Sequence, residues 1–104
     1  VIMADVVHNK AGFITSFAVN HHGDSHVCAA VSMLVINTVN SIEALTEAKF
    51  SCDYNEDGGF LSFVLLSERE TEAGKDAGLL LDAMVLGFQS VAQAHPDEFK
   101  MKAK

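Results

Sequence analysis

The hydrophobic period of this chain passes twice from about two residues to between three and four, and that alternation limits what it can fold into. Val1–Val7 is β-branched and apolar, and Phe13–Val19 alternates loosely. Asn9-Lys10-Ala11-Gly12 lies between them as turn chemistry, so the pair predicts a β-hairpin. From Ser25 the spacing becomes three and four: Val27, Val31, Leu34, Val35, Thr38, Ile42 and Leu45 share one side of a helix running to about Thr46. Asp24 or Ser25 can cap its start. Lys49–Tyr54 and Phe60–Leu66 then flank Asn55-Glu56-Asp57-Gly58-Gly59, a second hairpin whose Asp-Gly-Gly suits a tight turn. Ser67–Thr71 is a polar link that offers a cap. A second helix follows from about Glu72 to Ala94, with Ala77, Leu80, Leu81, Met84, Phe88, Val91 and Ala92 inward. Gly74, Gly78 and Gly87 each weaken it by roughly 1 kcal/mol relative to alanine, so packing has to hold it. Pro96 ends it, and Glu98–Lys102 is a short final strand.

The element order is therefore β-β-α-β-β-α-β. Each helix has one wet side, which predicts an α+β fold of two layers: a mostly antiparallel sheet with two helices packed on one face. A chain of 104 residues is long enough for one modest core and too short for two, so residues 1–104 form a single domain. An apolar content of 49% excludes a disordered chain. No stretch reaches the roughly 18 uninterrupted apolar residues of a membrane span. Val1–Val7 is too short for the apolar core of a signal peptide and has no basic lead. The expectation is a cytoplasmic protein that does not enter a membrane.

The formal charge of −7 argues against a nucleic-acid binder, which needs clustered Lys and Arg, and suits a basic partner through long-range steering. Cys28 and Cys52 read as free thiols. Cys52 alternates with Phe50 and Tyr54 in a strand-like run, where a buried, inert thiol is the expectation.

Cys28 is different. It falls in the first turn of the first helix, seven positions after His21 and six after His22. First-turn amides point outward there, and they can receive a carbonyl oxygen as it becomes an oxyanion. A helix terminus contributes about 0.3–1 kcal/mol to a nearby negative charge. An imidazolium about 4 Å away is worth roughly 4 kcal/mol at an effective dielectric near 20. A histidine therefore matters more than the helix for making a nucleophile. His26 is two residues from Cys28 within the helix, so their side chains diverge. His21 and His22 adjoin on an extended segment, so only one can face the thiol, and the residues alone leave the choice between them open. Three readings of Cys28 stand at this point: packing, nucleophilic catalysis of acyl transfer, and a zinc site made with His21, His22 and His26. No second ligand pair stands at finger-like spacing elsewhere.

The segment from His21 to Ile42 resembles the ribosomal-processing cysteine protease family of bacteria. Its members carry Gly-His-Ala at the end of the second strand, then Val-Cys-Ala-Ala-Val-Ser opening a helix. Val27-Cys28-Ala29-Ala30-Val31-Ser32 matches the second motif, and Asn37-Thr38-Val39-Asn40-Ser41-Ile42 is similar to the later helix pattern. Asp57-Gly58-Gly59-Phe60-Leu61 resembles the family's second hairpin, and Leu79-Leu80 through Gly87 to His95-Pro96 its last helix and exit. Asn20-His21-His22 stands where Gly-His-Ala is expected, with Asn20 in place of the glycine. The resemblance implies Cys28 as nucleophile and His21 as base. Where many members place an acid three residues before the cysteine this chain has Ser25, with Asp24 one step earlier to cap the helix or orient His21. It also implies a homodimer that needs no cofactor. Its substrate would be the precursor of a large-subunit ribosomal protein, whose short N-terminal extension is cut after a pair of aromatic residues. The alternatives are a non-catalytic ribosome-assembly or dimerisation module of the same fold, and a metal-binding sensor.

Overall fold

The computed structural model describes residues 1–20, 25–55 and 59–104, with Ser25 described by its backbone only. Seven elements follow one another: β1 (Ile2–His8), β2 (Ile14–Asn20), α1 (Ser25–Leu45), β3 (Phe50–Tyr54), β4 (Phe60–Leu65), α2 (Glu72–Ala94) and β5 (Phe99–Ala103). This is the expected order, with most strand and helix ends displaced by no more than one residue.

The β1–β2 turn closes as its sequence suggests. Asn9 Oδ1 accepts from the amides of Ala11 and Phe13, both at 3.0 Å, and Gly12 takes the positive φ of 88° that only glycine adopts cheaply. The register then slips between Val7 and His8, a bulge that accounts for the loose alternation of this hairpin.

The strands form one sheet in the order β3-β4-β2-β1-β5. Three of the four pairings are antiparallel, and β5 lies parallel to β1, with Ile2 opposite Phe99. The antiparallel majority agrees with the sequence. The parallel edge is a mixed-sheet feature that hairpin reading does not reveal, because β5 reaches β1 through the whole of the intervening fold. Register places the buried residues on one face: Ala4 opposite Val19, Val19 opposite Leu61, Val6 opposite Phe17, and Phe17 opposite Phe63. That face is the core, and both helices lie on it. Phe88 of α2 meets Phe99 of β5 with ring centroids 5.4 Å apart, while Phe63 stands between Phe17 and Phe50 at 5.1 Å from each.

Val27, Val31, Val35, Thr38 and Ile42 form the buried stripe of α1. Thr38 joins it without cost in hydrogen bonds, since its hydroxyl donates to Leu34 O at 2.6 Å. Leu45, expected on that stripe, is 73% exposed, although Ile42 in the same turn is fully buried. By length and apolar content alone both helices would suffice to cross a bilayer, with mean hydropathies of 1.5 and 1.3. Here their apolar stripes are spent on the sheet and on each other.

Thr71 caps α2, its hydroxyl oxygen accepting from Gly74 N at 3.1 Å, as the polar link offered. The glycines of α2 are explained by close approach. A methyl group on Gly74 would run into the backbone of Glu68, and one on Gly87 would meet Leu34 of α1 at 2.6 Å. Gly78 leaves room for the side chain of Arg69, which is only 9% exposed. Arg69 donates to Gly74 O at 2.7 Å and lies 4.7 Å from the centre of the Phe13 ring. Its Nε has no partner, and among the described residues no carboxylate pairs with it.

Candidate active site

Cys28 is the fourth residue of α1, inside the first turn, as the change of period implies. Val27 and Val31 on either side of it are buried, whereas Cys28 itself is half-buried and sits against the margin of the core. The cause is helical geometry. The buried stripe runs through 27, 31 and 35, so Cys28 is turned about 100° from Val27 and lies with Ser32 on the flank. A thiol fully enclosed by aliphatic neighbours would have favoured packing; this one is at a surface.

His21, His22 and Asp24 lie outside the described residues, as does the side chain of Ser25. The frame around them is described. β2 ends at Asn20, which is exposed, and α1 begins at Ser25. His26 is exposed on the first turn of α1. Of the four zinc ligands considered from sequence, two are therefore outside the described residues, and among the described residues no three metal-binding side chains cluster.

A groove of about 350 Å³ opens further along α1, between its middle turns and the β3–β4 pair. Ser32, one helical turn beyond Cys28 and on the same side, stands on its wall, followed by Ile36 and Val39. Cys52, Tyr54 and Leu61 line it from the sheet. The lining is mostly apolar, and among the described residues it includes no charged side chain. The sequence reading did not find this groove. Its one local signal was Cys52 itself, a small residue between Phe50 and Tyr54.

Cys52 is half-buried, not enclosed as expected, because β3 is an edge strand and α1 covers its inner face only in part. Burial, and after it the neighbouring Asp53 carboxylate, push its thiol above the ordinary 9.0. It stays neutral at physiological pH. The inert character foreseen for it is kept by desolvation.

The comparisons with known proteins bear on the whole chain. A family model described as cysteine protease Prp matches residues 1–100. The ribosomal processing cysteine protease Prp of Bacillus subtilis is 29% identical over 77% of this chain and 71% of its own length. That of Staphylococcus aureus is 26% identical over 99% of both chains. The fold is shared with the crystal structure of an essential ribosomal processing protease Prp from S. aureus, in complex with a covalently linked product peptide. There the TM-score is 0.89 at 23% identity, with both chains covered in full. With a half-buried thiol in the first turn of α1 and a family match running from β1 into β5, this chain belongs to the cysteine protease Prp family.

Proposed function

We propose that this chain is a cysteine endopeptidase in which Cys28 is the nucleophile and His21 the base. Its substrate is the precursor of a bacterial large-subunit ribosomal protein, from which it removes the short N-terminal extension needed to be lost for ribosome assembly. The observation that carries this reading is the half-buried thiol of Cys28 in the first turn of α1. Relatives named as ribosomal processing proteases, one of them holding a covalently linked product peptide, support the substrate class.

The family resemblance favours His21 over His22, since Asn20-His21-His22 stands where Gly-His-Ala is expected. In the reaction His21 takes the thiol proton, and Sγ attacks the scissile carbonyl carbon. The amides of the first turn of α1 hold the oxyanion that forms. His21 then returns the proton to the departing amine as the C–N bond breaks. Water, deprotonated by His21, hydrolyses the thioester and frees the thiol. Asp24 caps α1 or orients His21, and Ser25 occupies the position where relatives place an acid.

The enzyme acts in the cytoplasm without a cofactor or direct nucleic-acid contact. It works as a homodimer, a state supported by the large apolar side chains of Leu79 and Leu86 exposed one above the other on α2 and readable by sedimentation velocity.

The test is incubation with the extended precursor, followed by intact-mass analysis. Cys28→Ala abolishes shortening, His21→Ala lowers kcat by about 10²–10⁴-fold, and His22→Ala remains active. The opposite result for the two histidines moves the base to His22. No shortening by the wild-type chain, together with unchanged biological activity in Cys28→Ser, refutes catalysis and leaves an assembly or dimerisation module.

A further inference from the structure

Among the described residues Arg69 is the one buried charged side chain, only 9% exposed. Its guanidinium lies against Gly78 and over the Phe13 ring, and one of its nitrogens, Nη1, donates to Gly74 O. Nε is enclosed without a partner, and no carboxylate of the described residues pairs with the cation. Withdrawing a charge from water this far is costly unless an opposite charge meets it. The aromatic ring and the carbonyl offset part of that cost and leave the cation without an anion.

A cavity of about 430 Å³ opens at this side chain, lined by Phe13, Arg69, Glu70, Lys75, Leu79 and Asp82. Its size is within the roughly 300–1,000 Å³ of small-molecule sites. Glu70, Lys75 and Asp82 are exposed, and Lys75 pairs with neither carboxylate. With Nη1 held by Gly74 and Nε enclosed, Nη2 is the nitrogen left for a ligand. Phe13 and Leu79 are large, apolar and exposed, so the same cavity offers a wall to a hydrocarbon body. Glu70 and Asp82 repel a compact dianion such as phosphate, and a single negative charge held at Arg69 and Lys75 suffers less. Phe13 precedes β2 and Asn20 ends it, so about 23 Å of extended chain separates this cavity from the end of β2 that leads to His21.

We propose that this cavity binds a small monocarboxylate carried on an aromatic or branched aliphatic body. Arg69 holds the carboxylate with Lys75 beside it, and Phe13 and Leu79 cover the body. Neither Cys28 nor His21 takes part, and the endopeptidase reading is not needed for it. Leu79 also belongs to the α2 face assigned to the homodimer, so a second copy is the rival occupant.

The test titrates the isotope-labelled full chain with phenylacetate, its neutral counterpart phenylacetamide, and inorganic phosphate, read by backbone-amide NMR shifts. The signals of Phe13, Arg69, Lys75 and Leu79 move saturably with phenylacetate, at a dissociation constant about tenfold or more below that for phenylacetamide. Phosphate at the same concentrations leaves them in place. Arg69→Met removes the preference for the acid, because only the apolar wall remains. Should Arg69→Met fail to fold, Lys75→Glu reverses a charge at an exposed position and weakens phenylacetate several-fold, sparing phenylacetamide. Equal affinity for the two, or unchanged affinity in the folded variants, overturns the assignment. So does phosphate binding as tightly as phenylacetate, the mark of an adventitious ion only. No saturable movement in the wild type also overturns it, and if Lys75→Glu then splits the dimer in sedimentation velocity, the second copy fills the cavity.

Discussion

Cys28 and Cys52 are both half-buried thiols on the helix side of the sheet, and their surroundings give them different chemistry. Cys28 stands in the first turn of a helix, where outward amides can receive an oxyanion as it forms. Cys52 is partly withdrawn from water and has the Asp53 carboxylate nearby, and both oppose a thiolate there. Because its thiol is raised in the folded state, the native protein holds that proton more tightly than the unfolded chain does. The stabilising contribution is whole below the ordinary value of 9.0 and declines as pH rises through that value towards the folded one. Urea unfolding across that range should therefore show a steeper alkaline loss for the wild type than for Cys52→Ala, whose curve lacks this component. Equal slopes would mean that burial does not raise the thiol.

At the scale of elements, the glycines of α2 show how a local penalty is offset by a long-range contact. Each glycine weakens the helix by about 1 kcal/mol. Gly74 and Gly87 in return let a loop and a second helix come close. The two differ in what an added methyl would meet. At Gly74 the obstacle is the backbone of Glu68, which cannot turn aside, so Gly74→Ala should be destabilising by about 1–2 kcal/mol even after the gain in helix propensity. At Gly87 the obstacle is the mobile end of Leu34, and Gly87→Ala should be near neutral. Thermal unfolding of the pair decides the matter, and a larger loss at Gly87 would contradict the packing argument. From sequence these positions were visible only as weak points in a helix that packing must support. Arg69 was not visible at all: nothing in Ser67–Thr71 says that its one cation folds back over Phe13 and Gly78.

Across the whole molecule, the charge of −7 is the property that acts over distance. A basic precursor should be drawn in by it, and salt should weaken that attraction. The Debye length shortens from about 30 Å at 0.01 M to about 8 Å at 0.15 M. Over that interval kcat/KM on the full precursor is expected to fall several-fold, with a short neutral peptide unaffected. Equal salt dependence for both substrates would show that steering plays no part. The sheet gives a second whole-molecule lesson. Hairpin signals identified β1 with β2 and β3 with β4, but the adjacency of β4 to β2 and the parallel placement of β5 on β1 join segments far apart in sequence.

Order and type of elements were determined by the sequence alone, because period, turn residues and caps act over a few neighbouring positions. Cys28 at a helix start was determined the same way, and the choice of His21 came from family resemblance added to that pattern. Only the tertiary structure decided the strand order, the half-exposure of Cys28 and Cys52, the burial of Arg69 and the groove along α1. Each of these depends on which distant surfaces meet, and no local pattern of residue types encodes that.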